Sequence, residues 1–142
     1  MNIYNHYVQM FFIMIIAGLL STMNVWADKW EDVRLSLNDV YMILLMTGWM
    51  LLFMGILNKF MPATLVGLLL VLFNLYAIRN QLFVNQKQYL LGMIPHHSMA
   101  VLMSKEMLKK ENNIQKLLTD IIAGQEKEIQ YMKDKLVSTT GR

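Results

Sequence analysis

The chain has 142 residues, about one ordinary domain, and an apolar fraction of 56%, high for a small soluble protein. It contains no cysteine, which excludes a disulfide framework, a thiolate metal site and a thiol nucleophile. Its net charge of +3 lacks the aromatic-and-basic clustering of a nucleic-acid surface, so no nucleic-acid partner is expected.

The two halves differ. Residues 1–78 carry Lys29, Arg34 and Lys59 against Asp28, Glu31, Asp32 and Asp39, whereas residues 79–142 hold the remaining ten basic and six acidic residues. In the first half, residues 7–26, 40–57 and 61–78 are uncharged runs, each close to the length that crosses a bilayer. Three buried-core helices would be too many for so small a protein, so membrane helices are expected, with the lipid bilayer as a partner. The first run ends in "VWA", which loosely resembles a signal cleavage site. It is preceded by no Lys or Arg and is long for a signal, which favours a retained helix. Residues 27–39 form a charged linker whose Trp26 and Trp30 suit the membrane interface. Between the second and third runs, Pro62 suits the first turn of a new helix and predicts a tight hairpin. Three spans put the linker and the C-terminal region on one side. Lys29, Arg34, Arg79 and Lys87 lie near the membrane there, against Lys59 on the other side, which points that region to the cytoplasm.

Beyond Ile78 the sequence turns polar. The pattern predicts a helix over about 84–110, kinked or restarted at Pro95. A second helix, capped by Asn112 or Asn113, runs to about Val137, and the tail "STTGR" is expected to fray. No Gly-rich phosphate loop, serine triad, catalytic carboxylate pair or alternating strand pattern is present, and no enzymatic activity is expected. The expected fold is all-α: a membrane domain, 1–80, followed by a two-helix hairpin domain, 81–142.

The stretch "LLGMIPHHSMAVLMSKEML", residues 90–108, gathers two histidines and four methionines. At about 100° per residue, Met93, His96, His97, Ala100, Met103 and Met107 share one broad face, with Met99 at its edge. Ser98, Lys105 and Lys109 fall on the opposite face. In the second helix Ile114, Leu118, Ile121, Gln125, Ile129, Met132 and Leu136 share a side, with Glu128 beside them. A methionine at helical spacing is ordinarily core. Two adjacent histidines are poor core material, because each buried imidazole needs partners. Imidazole suits copper, zinc and nickel, and thioether selects soft Cu(I) and Ag(I), so core packing and metal binding both remain open on these residues alone.

"MIPHHSMAVLMS", followed by "LLTDIIAGQEKEIQYMKDKL", resembles the domain-of-unknown-function 305 family. The matching positions are Met93, Ile94, Pro95, His96, His97, Met103, Ile121, Ile122, Gln125, Glu128, Ile129 and Met132. The membrane half is similar to a bacterial subgroup with three spans ahead of this domain. The resemblance implies a ferritin-like helical unit and localisation to the bacterial inner membrane. It also implies a link to copper tolerance, known for secreted and periplasmic members, which is the opposite side from the charge count. Ser98 departs from the glutamine that many members carry after the histidine pair.

The expected function is therefore membrane-anchored binding of a copper ion, Cu(I) or Ag(I), in metal homeostasis or tolerance. His96 and His97 would supply imidazoles, Met93, Met103, Met107 and Met132 thioethers, and Glu128 and Gln125 would orient ligands by hydrogen bonds. The alternatives are a non-metal interaction module, with no cofactor, and an accessory subunit of a metal transporter. Met42, Met46, Met50 and Met54 recur at i+4 along the second span and form either a packing row or a thioether relay, to which Met10 and Met14 could add. A hairpin leaves its apolar faces half covered, so a homodimer or higher homo-oligomer closing a four-helix bundle is also expected.

Overall fold

The computed structural model describes residues 2–140, and among these it is all-helical. Five α-helices follow one another: α1 (Ile3–Leu20), α2 (Leu37–Leu57), α3 (Met61–Arg79), α4 (Gln86–Leu108) and α5 (Gln115–Thr140). Two 3-10 turns, Met23–Trp26 and Trp30–Asp32, lie between α1 and α2. The chain forms two compact units. One contains the residues up to Thr22 with Leu37–Phe83, and the other contains Met23–Ser36 with the described residues from Val84 onward. The segment 23–36, which the sequence reading placed with the membrane domain, thus packs with the hairpin.

In the first unit, α1 is opened by Asn2, whose side chain accepts from the Tyr4 N–H at 3.3 Å. It ends at Leu20, short of the expected Trp26, where the Ser21 N–H bonds back to Gly18. Residues 23–26 leave the helix because Asn24 is engaged elsewhere: its side chain bonds both main-chain groups of Arg34, at 2.7 and 2.8 Å. Helices α2 and α3 form the expected hairpin, with Pro62 in the first turn of α3. Their seam uses small residues, with Gly48 against Gly67 and Gly55 against Thr64. A β-carbon at Gly67 would lie 2.3 Å from the Leu52 backbone nitrogen, and one at Gly55 2.5 Å from that of Thr64. Backbones approach this closely where association rests on packing rather than on hydrophobic burial. The outer surface of the unit is hydrocarbon, with Phe12, Ile13, Ile16, Leu69 and Phe73 exposed. Ile3–Trp26, Leu37–Leu57 and Met61–Arg79 are each long and apolar enough to cross a membrane.

In the second unit, Asn85 caps α4 by accepting from the Gln88 N–H at 2.9 Å. Pro95 sits inside α4, which continues through it as one helix. Asn112 joins the two helices: it accepts from the Ile114 N–H and donates to the Met107 and Lys110 carbonyls. Helix α5 continues past Val137, so the expected fraying does not begin there; Gly141 and Arg142 lie outside the described residues. Leu90, Ile94, Val101, Ile129 and Met132 form the core, with Met93, Ile122 and Leu136 against it.

Candidate functional site

The sequence reading put Ser98 and Lys105 on the outer face of α4. Ser98 is instead fully buried, because residues 27–32 fold over that face as a strap. Its hydroxyl donates to Asp32 Oδ2 at 2.7 Å and accepts from the Asp28 N–H at 2.9 Å. Asp32 is also buried, and its second oxygen pairs with the Lys133 ammonium on α5. Lys133 reaches Glu31 as well, at 2.9 Å. Lys105 bridges Asp28 at 2.8 Å and Glu126 at 3.2 Å. Burial alone would lower the Lys133 pKa, but hydrogen bonds to Asp32 and Glu31 outweigh it and hold it above the usual lysine value. The hydrogen bond to Asp28, against a smaller effect of burial, likewise raises Lys105, and Lys133 lowers Glu31 by its hydrogen bond and charge. The strap is a missed part of the hairpin unit. Its sequence signal was the charge of residues 27–39, read as a linker at the membrane interface.

On the neighbouring face, His97 is held at both ring nitrogens. Nδ1 lies 2.9 Å from the Met93 carbonyl, one turn back, and Nε2 lies 2.8 Å from Glu128 Oε2 on α5. A carbonyl can only accept, so Nδ1 carries a hydrogen and Nε2 of the neutral ring is a lone pair aimed at a carboxylate. The 2.8 Å separation is a hydrogen-bonding distance, too short for an ion on the line between the two atoms, so an ion at Nε2 would bind with Glu128 turned aside or from one flank. Metal-ligating histidines are characteristically fixed in this way, with one nitrogen tied to a carbonyl and the other directed at the ion.

The predicted ligands do not all converge there. Met93 packs half-buried beside the core, and Met132 lies 7% exposed within it. His96 is exposed, its ring 6.1 Å from that of His97 and edge-on. Met103 and Met107 are also exposed, at 54% and 41%. Gln125 is half-buried on α5, and Glu128 is exposed beside His97. The set therefore divides into the partly or fully buried His97, Met93 and Met132, with the exposed Glu128 at the rim beside His97, and an outward stripe of His96, Met103 and Met107. Among the described residues no three His, Asp or Glu side chains are grouped to hold a metal, so any ion at His97 must draw on thioethers or on groups outside this chain. The membrane row is divided too. Met42 and Met46 are exposed, whereas Met50 and Met54 pack against the cluster of Tyr7, Leu51 and Ala63; Met10 and Met14 are half-buried on α1.

Comparison with known proteins places this geometry in context. The family model for a domain of unknown function (DUF305) matches residues 74–136, from the last turns of α3 through most of α5. The chain is similar to uncharacterized protein L153 of Acanthamoeba polyphaga mimivirus, at 49% identity over 124 residues and 82% of each chain. No solved structure matches the chain.

Proposed function

The chain belongs to the domain-of-unknown-function 305 family, and from that premise we propose that it is a membrane-anchored protein that binds a soft monovalent metal, Cu(I) or Ag(I), without catalysing a reaction. The observation that carries this reading is His97, whose Nδ1 is tied to the Met93 carbonyl and whose Nε2 is aimed at Glu128. His97 would hold the ion through Nε2, Met93 and Met132 would supply sulfur, and Glu128 would turn from ion-pair partner to ligand or orienting group. His96, Met103 and Met107 form a second, outward donor stripe. A second copy of the chain packing on that stripe, as a homodimer or higher homo-oligomer, would complete a four-helix bundle with donors from facing helices. The three apolar helices anchor the unit in a cell membrane, and the bacterial inner membrane is the first to test.

The test is metal content of the full-length protein purified in mild detergent and loaded with Cu(I) under reducing conditions. The double variant His96→Ala/His97→Ala should lose most of the bound copper while keeping its helix content. Unchanged copper stoichiometry in that variant would overturn the proposal. It would favour the second reading, an assembly or transporter-accessory module in which the His97–Glu128 pair simply joins α4 to α5.

A further inference from the structure

The first unit has a groove unrelated to the histidine motif. A cavity of about 250 Å³ opens between the N-terminal half of α1 and the α2–α3 hairpin, lined by Tyr4, Tyr7, Phe11, Leu51, Phe60 and Val66 among others. Its aromatic side is fixed. Tyr7 stacks on Phe60 at 4.9 Å between ring centroids, and Tyr4 meets the same ring edge-on at 5.1 Å. The Tyr7 hydroxyl donates to the Met54 carbonyl at 2.9 Å and accepts from Asn58 at 3.1 Å, so it is already engaged. The volume is that of roughly eight water molecules at about 30 Å³ each. It falls below the roughly 300–1,000 Å³ of pockets that enclose drug-sized ligands. A groove this narrow, apolar and open along one side suits a length of hydrocarbon chain.

At the same end of the unit stands Lys59, in the corner between α2 and α3. The Phe60 N–H bonds back to the Gly55 carbonyl at 2.8 Å, closing α2 and leaving Lys59 at φ 52°. Glycine ordinarily fills such a left-handed position, because a β-carbon is strained there. Such residues persist where the surrounding structure holds them, and Gln81 and Phe83 of the same unit adopt the same conformation. Lys59 is the charged side chain of this corner, while Asp39 and Arg79 lie at the opposite ends of α2 and α3. Lys59 forms no ion pair among the described residues.

We propose that this groove holds one acyl chain of an anionic phospholipid whose phosphate pairs with Lys59. The inference rests on the membrane reading of the first unit and is independent of metal binding. The test uses the full-length protein in mild detergent, incubated with phosphatidylglycerol or with phosphatidylcholine of the same acyl chains, and native mass spectrometry of the retained lipid. The native protein should retain phosphatidylglycerol over phosphatidylcholine by about fivefold, the preference that one basic residue near an anionic headgroup carries. Lys59→Gly should lose the preference but still hold lipid, with an unchanged or higher thermal midpoint, since glycine relieves the strained φ. Val66→Phe should fill the groove and lose both lipids. Preference persisting in Lys59→Gly, or lipid persisting in Val66→Phe, would overturn the proposal. A protein that leaves the membrane fraction without detergent would instead overturn the membrane reading itself. Detergent-dependent extraction with equal retention of both lipids would sink this inference alone.

Discussion

The α2–α3 seam and the strap on α4 and α5 solve the same problem by opposite means. In the seam, contact is made by what is missing: glycines at 48, 55 and 67 let two backbones meet between helices that are long and apolar enough to cross a membrane. In the strap, contact is made by charge. Asp28, Glu31 and Asp32 fold onto Ser98, Lys105 and Lys133, with the key carboxylate and hydroxyl removed from water. Shape specifies the first unit, and ion pairing specifies how 23–36 lies in the second.

The largest effect is expected in the seam. Replacing Gly67 by leucine puts a β-carbon against the Leu52 backbone, which cannot rotate away as a side chain would. Overpacking of this kind should cost about 3 kcal/mol, the upper end of its usual range. The thermal midpoint of the full chain in detergent should fall, while copper stoichiometry per folded chain stays unchanged. A Gly67→Leu midpoint within experimental error of the native value would mean that α2 and α3 do not touch there.

The strap should follow closely. Asp32→Ala leaves Lys133, whose side chain is only 19% exposed, with Glu31 alone, and removes the acceptor of Ser98. Breaking one partner of a buried pair costs about 3 kcal/mol or more; the partial exposure here and the remaining Glu31 contact argue for about 2 kcal/mol. Hydrogen exchange should localise the loss to residues 27–33. The pH dependence has a determined sign. Glu31, with its pKa lowered, contributes above the unfolded carboxylate pKa near 4.3, and that contribution is lost as pH falls through the folded value. Lys133, with its pKa raised, contributes fully below the unfolded value near 10.4 and loses it as pH rises through the folded one. Strap protection should therefore be flat from about pH 5 to 10 and decline at both ends, with the alkaline decline weakened in Lys133→Met.

Which of these devices could be read beforehand follows from their range. The five helices follow from uncharged runs and from the 3.6-residue pattern, both local signals, and Pro62 marked the start of α3. The His97–Glu128 pairing was half legible: both residues were placed on facing sides, but the fixing of Nδ1 by Met93 depends on a rotamer. The strap was not legible. Its pairs join residues 66 to 102 positions apart, and a helical wheel that treats polar residues as solvent-facing puts Ser98 and Lys105 outside. The same wheel merged His96, Met103 and Met107 with His97, although a face that wide cannot all meet one partner helix.

The smallest effect sharpens the contrast inside the second unit. Lys109 and Glu106 pair three residues apart at the C-terminal end of α4, with side chains 67% and 53% exposed. The geometry is as direct as that of Lys133 and Asp32, yet the setting differs. Both groups stay hydrated, the pair is screened by salt, and two long side chains lose rotamer freedom to meet. Their coupling in a double-mutant cycle of Glu106→Gln and Lys109→Gln should be below about 0.5 kcal/mol and vanish in high salt. The Asp32–Lys133 cycle should be several times larger and persist in salt, because burial removes the competing water. Equal couplings in the two cycles would mean that the strap is solvated and that Asp32 does not hold it closed.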